Sequence, residues 1–319
     1  MSLEENSEEK SVTKPKKHLL YSIFNPQGSG KEAEPEPDDD SFGFAKCFRL
    51  LKRNITKLLY VNLLIIFGNF PILFGVYALT GSLNDSTTTA ASPLFGQLHG
   101  VMSISKCSPV NMALYGVHGF QTSKSIITNT TLIFFAIAIL TLFTWGIMCT
   151  GTTYILRGIV RKDSIFFWSD FKGAIKRNFK QGFIVGILDG LLIAFLVYDI
   201  FFFYINGSTM FYVMIIIFAI YNMMRYYIYP LLITFDLSIW KIFKNSLSFV
   251  ILGFKRNILA FLGSALLVAL EYLLLGIFYP LGVMLPLFAF FSISAYFGVY
   301  SAWGKIKEIM IDPYVSNQN

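Results

Sequence analysis

Six stretches of this chain stay apolar long enough to cross a bilayer: about 58–79, 131–156, 183–205, 210–233, 257–279 and 281–303. A spanning helix needs ~20 such residues, and lipid offers backbone groups no partner, so each run is read as a closed helix. Asn206-Gly207-Ser208 separates the third run from the fourth, and Tyr279-Pro280-Leu281-Gly282 the fifth from the sixth. Both are turn sequences. The tripeptide Lys-Arg-Asn occurs at 52–54, 176–178 and 255–257, each time at the start of an outward-going run. The pattern predicts three tandem hairpins.

A short amphipathic stretch precedes each copy of the tripeptide. In the first, Phe44, Phe48 and Leu51 stand against Lys46, Arg49 and Lys52. In the second, Trp168, Phe171, Ile175 and Phe179 recur at helical spacing while Lys172, Lys176 and Lys180 face away. In the third, Ile239, Trp240, Phe243, Leu247 and Val250 oppose Lys241, Lys244 and Ser248. Such segments predict helices lying in the membrane interface, with cations at anionic headgroups. They serve either as anchors for the spans or as a docking platform for a cytoplasmic partner.

Composition agrees with a membrane location. Of 319 residues 55% are hydrophobic and 14% charged, against about 25% charged in soluble domains. The net charge of +7 does not imply nucleic acid, because the cations gather at the ends of apolar runs. The bilayer is the expected partner. Twenty-three of the 26 Lys and Arg residues fall on one side of the predicted topology; Lys106 and Lys124 fall on the other, and Arg225 lies within a span. The positive-inside bias makes the rich side cytoplasmic. An even number of spans then puts both termini there. The first 17 residues mix Glu and Lys without an apolar core, unlike a cleavable signal sequence. The acidic, proline-containing part of residues 1–41 predicts a flexible segment. Residues 42–310 form the membrane domain and 311–319 a cytoplasmic tail. The insertion 81–129, rich in Gly, Ser, Thr and Pro but with apolar patches, predicts an ordered outer cap.

Ionisable groups inside spans are costly, and mark functional candidates. Asp189 and Arg225 fall at similar depth on adjacent antiparallel helices, roughly 10 and 12 Å from the cytoplasmic side at ~1.5 Å per residue. They are expected to pair, either as an interhelical clamp or as part of a polar cavity facing an anionic or hydroxyl-rich ligand. Glu271 has no basic partner in sequence and is the candidate cavity-lining group. Asp199 lies close to the outer surface. Asn62 and Asn69 are candidates for hydrogen bonds across helices. Gly182, Gly186 and Gly190, spaced by four, predict a close helix approach. Pro71 and Pro230 are expected to end or kink their helices.

No catalytic constellation stands out. Gly28-Ser29-Gly30-Lys31 has Asn25 where a phosphate loop needs Gly and Glu32 where it needs Ser or Thr. His99 and His118 lack ligand spacing, and Cys47, Cys107 and Cys149 form no disulfide or metal pattern. No cofactor or metal is expected, and no enzyme activity.

Several segments together resemble the YesL-like family, also catalogued as domain of unknown function 624. They are Leu-Tyr-Val-Asn-Leu-Leu at 59–64 with Asn-Phe-Pro-Ile at 69–72, Gly-Thr-Thr-Tyr-Ile-Leu-Arg at 151–157, Trp168-Ser169-Asp170-Phe171-Lys172 leading into 176–181, Met223 through Leu232, Lys244-Asn245-Ser246, and Phe24-Asn25-Pro26. The likeness covers nearly all of 20–310 apart from the linker and the insertion. Where the family pattern runs from the proline of the first span closely to the segment that here begins at Gly151, this chain interposes about eighty residues. The resemblance implies a bacterial, mostly Gram-positive, inner-membrane protein linked to carbohydrate uptake and use, with no catalytic residues to carry over. The expected fold is all-α, a six-helix polytopic bundle. The expected function is a non-enzymatic accessory or regulatory role beside a sugar-transport system or other membrane protein. The alternative is a small-solute transporter or permease subunit.

Overall fold

The computed structural model of the chain describes residues 43–90 and 121–313, with a few positions between them. The predicted linker, most of the insertion and most of the tail lie outside the described residues. Eleven α-helices are described within 43–90 and 121–313: α1 (Phe44–Arg53), α2 (Ile55–Gly68), α3 (Ile72–Leu79), α4 (Asn129–Ile139), α5 (Thr141–Arg161), α6 (Phe167–Ile205), α7 (Met210–Thr234), α8 (Ile239–Leu252), α9 (Phe254–Ile277), α10 (Tyr279–Leu285) and α11 (Phe291–Ile306). Five helical stretches are long and apolar enough to cross a membrane, and the bent pair α2–α3 makes a sixth. The fold is all-α and polytopic.

The hairpins close into a ring. The three return helices α5, α7 and α11 pack on one another at the centre. Each outgoing helix fills a groove between two of them: α2 between α5 and α11, α6 between α7 and α5, and α9 between α11 and α7. Each helix that precedes a hairpin leans on the return helix of the hairpin before it in the ring. α1 rests on α11 and α8 on α7, while the first part of α6 lays Phe171 and Ile175 over Gly151 of α5. Burial of Leu156, Tyr227, Ile228, Leu231, Val299 and Ala302 fills the centre on the side rich in Lys and Arg, the basic side.

The tripeptide repeat has a physical cause. Chain direction changes where an amphipathic helix meets its span, and the backbone there leaves helical geometry in the same way each time: Asn54 (φ −109°, ψ 20°), Asn178 (φ −112°, ψ 18°) and Gly253 (φ −100°, ψ 15°). A bend strips carbonyls of their helical partners. Asn54 Nδ2 donates to Leu50 O and Asn178 Nδ2 to Ala174 O, both at 3.0 Å. In the third repeat the amphipathic helix is a turn longer and the bend falls at Gly253. Asn257 then stands one turn past the bend and reaches back to Phe249 O and Val250 O at 3.3 and 3.2 Å. Its Oδ1 also accepts from Tyr227 and Ser301 hydroxyls at 2.7 and 3.2 Å, tying α7, α9 and α11 together. Asn257→Ala is therefore expected to cost more than Asn178→Ala. It removes the partner of two buried hydroxyls and a bond to the Val250 carbonyl, while Phe249 O keeps Gly253 N at 2.8 Å; each unsatisfied buried group costs roughly 1–3 kcal/mol. Comparing the two melting temperatures in detergent checks the order.

Several expectations need correction. The first span is not continuous: α2 and α3 meet at Asn69-Phe70-Pro71 with a bend of 67°. Of the two prolines expected to end or kink their helices, Pro71 stands at this break, while Pro230 lies inside a helix that runs on to Thr234. Buried Leu231 and Leu232 and the Thr234 hydroxyl on Pro230 O at 2.6 Å hold the last turn. The sixth run is α10, a π-turn at Pro286–Phe290 and α11. Beside the apolar face expected in the membrane interface, each amphipathic helix carries a stripe packed against the bundle. α1 buries Cys47 and Leu50, the first part of α6 buries Phe171 and Ala174, and α8 buries Ile242, Ser246, Phe249 and Val250. Phe44, Phe48, Trp168, Phe179, Trp240 and Leu247 stay exposed. Each helix thus has three faces, one against the bundle, one apolar and exposed, and one basic. At the foot of the insertion, Asp85–Ala90 (β1) and Gln121–Ile126 (β2) pair antiparallel. The Thr-rich run favours extended backbone.

Candidate functional site

Asp189 is fully buried on α6. Its carboxylate gathers donors from two neighbouring helices, α5 and α7. Arg225 Nε lies 2.9 Å from Oδ1 and 3.2 Å from Oδ2. Tyr221 donates to Oδ1 at 2.8 Å, while Tyr229 and Trp145 Nε1 donate to Oδ2 at 2.7 and 2.9 Å. Tyr221, Arg225 and Tyr229 follow at intervals of four on α7, so they share one face. The guanidinium carbon of Arg225 sits 5.4 Å from the centre of the Trp145 ring. A carboxylate has about four acceptor sites, and here four side chains occupy them. The group is spent on holding α5, α6 and α7 together. The side chain of Arg225 keeps 23% of its surface exposed.

Glycine makes this approach possible. Gly146 of α5 and Gly186 of α6 touch backbone to backbone, so that a Cβ on either would run into the other helix. Gly182 meets the Thr150 hydroxyl and Gly190 the tip of Leu142. With these three glycines on one face, Asp189 is drawn within reach of Trp145.

The remaining polar candidates sit apart from that node. Asn62, fully buried, donates to Pro286 O and Leu287 O at 2.8 and 2.9 Å and accepts from Ser292 N at 3.1 Å. It satisfies the backbone that the π-turn leaves open. Asn69 donates to Ile65 O at 2.9 Å, closing the end of α2, and accepts from Thr144 of α5 at 3.2 Å. Glu271 is partly buried on α9. Its Oε2 is enclosed and finds no hydrogen-bond partner among the described residues. Asp199 is partly exposed near the far end of α6. No group of three His, Cys, Asp or Glu residues stands close enough to hold a metal among the described residues. Cys47, on α1 outside the spans, is buried, and burial pushes its thiol up to about 11, which keeps it inert at neutral pH.

Arg157 is a buried charge that reading the apolar runs misses, because the second run was ended at the first cation. α5 continues past it to Arg161, and Arg157 is 8% exposed. Its Nη1 donates to Ile233 O at 3.3 Å and Thr234 Oγ1 at 2.8 Å, at the end of α7, where free carbonyls favour a cation. Its guanidinium also lies 4.8 Å from the Tyr154 ring centre and 5.8 Å from that of Trp303. Arg177 lies at 5.2 Å from Tyr154, and Arg161 at 5.4 Å from Trp303. Cations and rings thus alternate across the basic side, with guanidinium attracted to ring faces.

No curated protein and no solved structure matches the chain. Residues 126–200, from the foot of β2 through α4, α5 and most of α6, match the family model described as Protein of unknown function, DUF624. The matched segment carries Trp145, Gly146, Arg157, Arg177, Gly186 and Asp189.

Proposed function

We propose that the chain is a non-enzymatic accessory or regulatory protein of a bacterial cytoplasmic membrane, acting beside a carbohydrate-uptake system. In this reading the basic side faces the cytoplasm, as the positive-inside bias favours, and both ends of the chain lie there. One observation carries the reading. The Asp189 carboxylate, the Asn257 amide and Nη1 of Arg157 are consumed by bonds within the bundle, while three basic helices are held outward on a filled core. Such a body suits display better than conduction. The carbohydrate link rests on the family resemblance.

A small-solute transporter or permease subunit is the second reading. The exposed part of Arg225 and the unpartnered Oε2 of Glu271 favour it. Purification of the full chain in a gentle detergent, with co-purifying proteins identified by mass spectrometry, separates the two. The accessory reading expects a transporter subunit or its ATPase in stoichiometric amount, lost when Lys172, Lys176 and Lys180 are all changed to Glu at unchanged abundance. A solitary protein that moves a solute in proteoliposomes would replace it with the second reading.

A further inference from the structure

The ring has three equivalent seams, each floored by a return helix and walled by its own outgoing helix and the next amphipathic helix. Two are bridged. Tyr60 of α2 meets Phe167 at the start of α6, ring centres 5.6 Å apart. Gln181 of α6 donates to Leu237 O, just before α8, at 3.1 Å. Among the described residues the third seam is open. Between α9 and α1, over Phe297 and Tyr300 of α11, lies a groove of about 400 Å³. Its walls are apolar, with Leu262 and Leu266 on one side and Phe44 and Phe48 on the other, and all four are exposed sideways.

We propose that this seam binds one anionic membrane phospholipid from the leaflet on the basic side, an acyl chain in the groove and the phosphate at its basic mouth. The charge pattern selects the occupant. Lys255, Leu259, Leu262 and Leu266 follow at helical spacing, so exposed Lys255 extends the lining stripe of α9 by one turn toward the basic side. A cation that closes an apolar slot at headgroup depth fits a phospholipid with a negative headgroup, whereas a neutral partner helix would gain nothing from it. The inference is independent of the accessory reading.

Native mass spectrometry of the full chain, titrated with phosphatidylglycerol or phosphatidylcholine, tests it. One phosphatidylglycerol should bind in preference to phosphatidylcholine. Lys255→Glu should weaken phosphatidylglycerol by about fivefold or more, the worth of one lysine at an anionic surface, and leave phosphatidylcholine unchanged. Leu266→Trp should plug the groove and lower the uptake of both lipids at unchanged melting temperature; Leu262→Trp serves if that variant misfolds. Equal binding of the two lipids by the wild type would overturn the proposal. So would a plugged variant that binds as before, or one whose only change is loss of a dimer. Removal of residues 1–42 that raises lipid uptake severalfold would give the groove to the chain's own N-terminal segment instead.

Discussion

Asp189→Ala is expected to remove most of the folded protein from the membrane. The change strands a guanidinium, two phenol hydroxyls and an indole N–H that now converge on one carboxylate. Breaking a buried ion pair from one side costs about 3–5 kcal/mol, which is comparable to the whole stability of many domains, about 5–15 kcal/mol. Fluorescence-detected size-exclusion and a melting curve in detergent measure it. Arg225→Met should be milder, because Asp189 keeps three neutral donors. The charge swap that would ordinarily identify a clamp is not expected to rescue here. An arginine at 189 would face the donor-only indole of Trp145 and two phenols that offer it at most one neutral acceptor each, so Asp189→Arg with Arg225→Asp should be as damaged as Asp189→Ala. Rescue by the swap would show that the three neutral donors contribute little.

The second large effect is at the α5–α6 contact. Gly186→Leu should abolish the folded bundle, and Gly186→Ala should already exceed the ~1–3 kcal/mol usual for overpacking. The obstacle is the backbone of Gly146, which has no side chain to move aside. Gly190→Ala meets only the end of Leu142, which can rotate, so it should be tolerated. Equal melting temperatures for Gly186→Ala and Gly190→Ala would mean that the two helices do not touch as described.

The parts of this architecture that lie close together in the chain are legible in it. Hairpins follow from the length of the apolar runs and from Asn206-Gly207-Ser208, where Gly207 takes φ 60°. Pairing of Asp189 with Arg225 follows from counting residues to the same side on adjacent helices. Their partners were hidden because Tyr221, Tyr229 and Trp145 read as ordinary core on an apolar helix. Their spacing from Arg225 and from Gly146 was the available signal. Arg157 was hidden by the assumption that a span ends at its first cation, although Tyr154 and a distant Trp303 give this one rings to lie on. The ring of return helices, and the seam left open among the described residues, depend on contacts between segments some seventy to more than two hundred residues apart, such as Arg157 on Ile233 O at 3.3 Å and Tyr300 on Gly43 O at 2.9 Å, which no local pattern encodes. The β-ribbon was missed for a different reason: two polar, Thr-rich stretches are unremarkable until they are paired.

On the proposed function the buried polar node builds the bundle and the basic side meets the partner. Quantitative co-purification from membranes carrying wild type, Arg225→Met, or the Lys172→Glu, Lys176→Glu, Lys180→Glu variant tests it most directly. The account predicts that Arg225→Met lowers the melting temperature yet leaves the partner ratio of the surviving protein unchanged. The triple variant should melt like wild type and lose its partner. A full partner ratio in the triple variant, with the loss falling on Arg225→Met alone, would contradict the account and place function at the node inside the membrane.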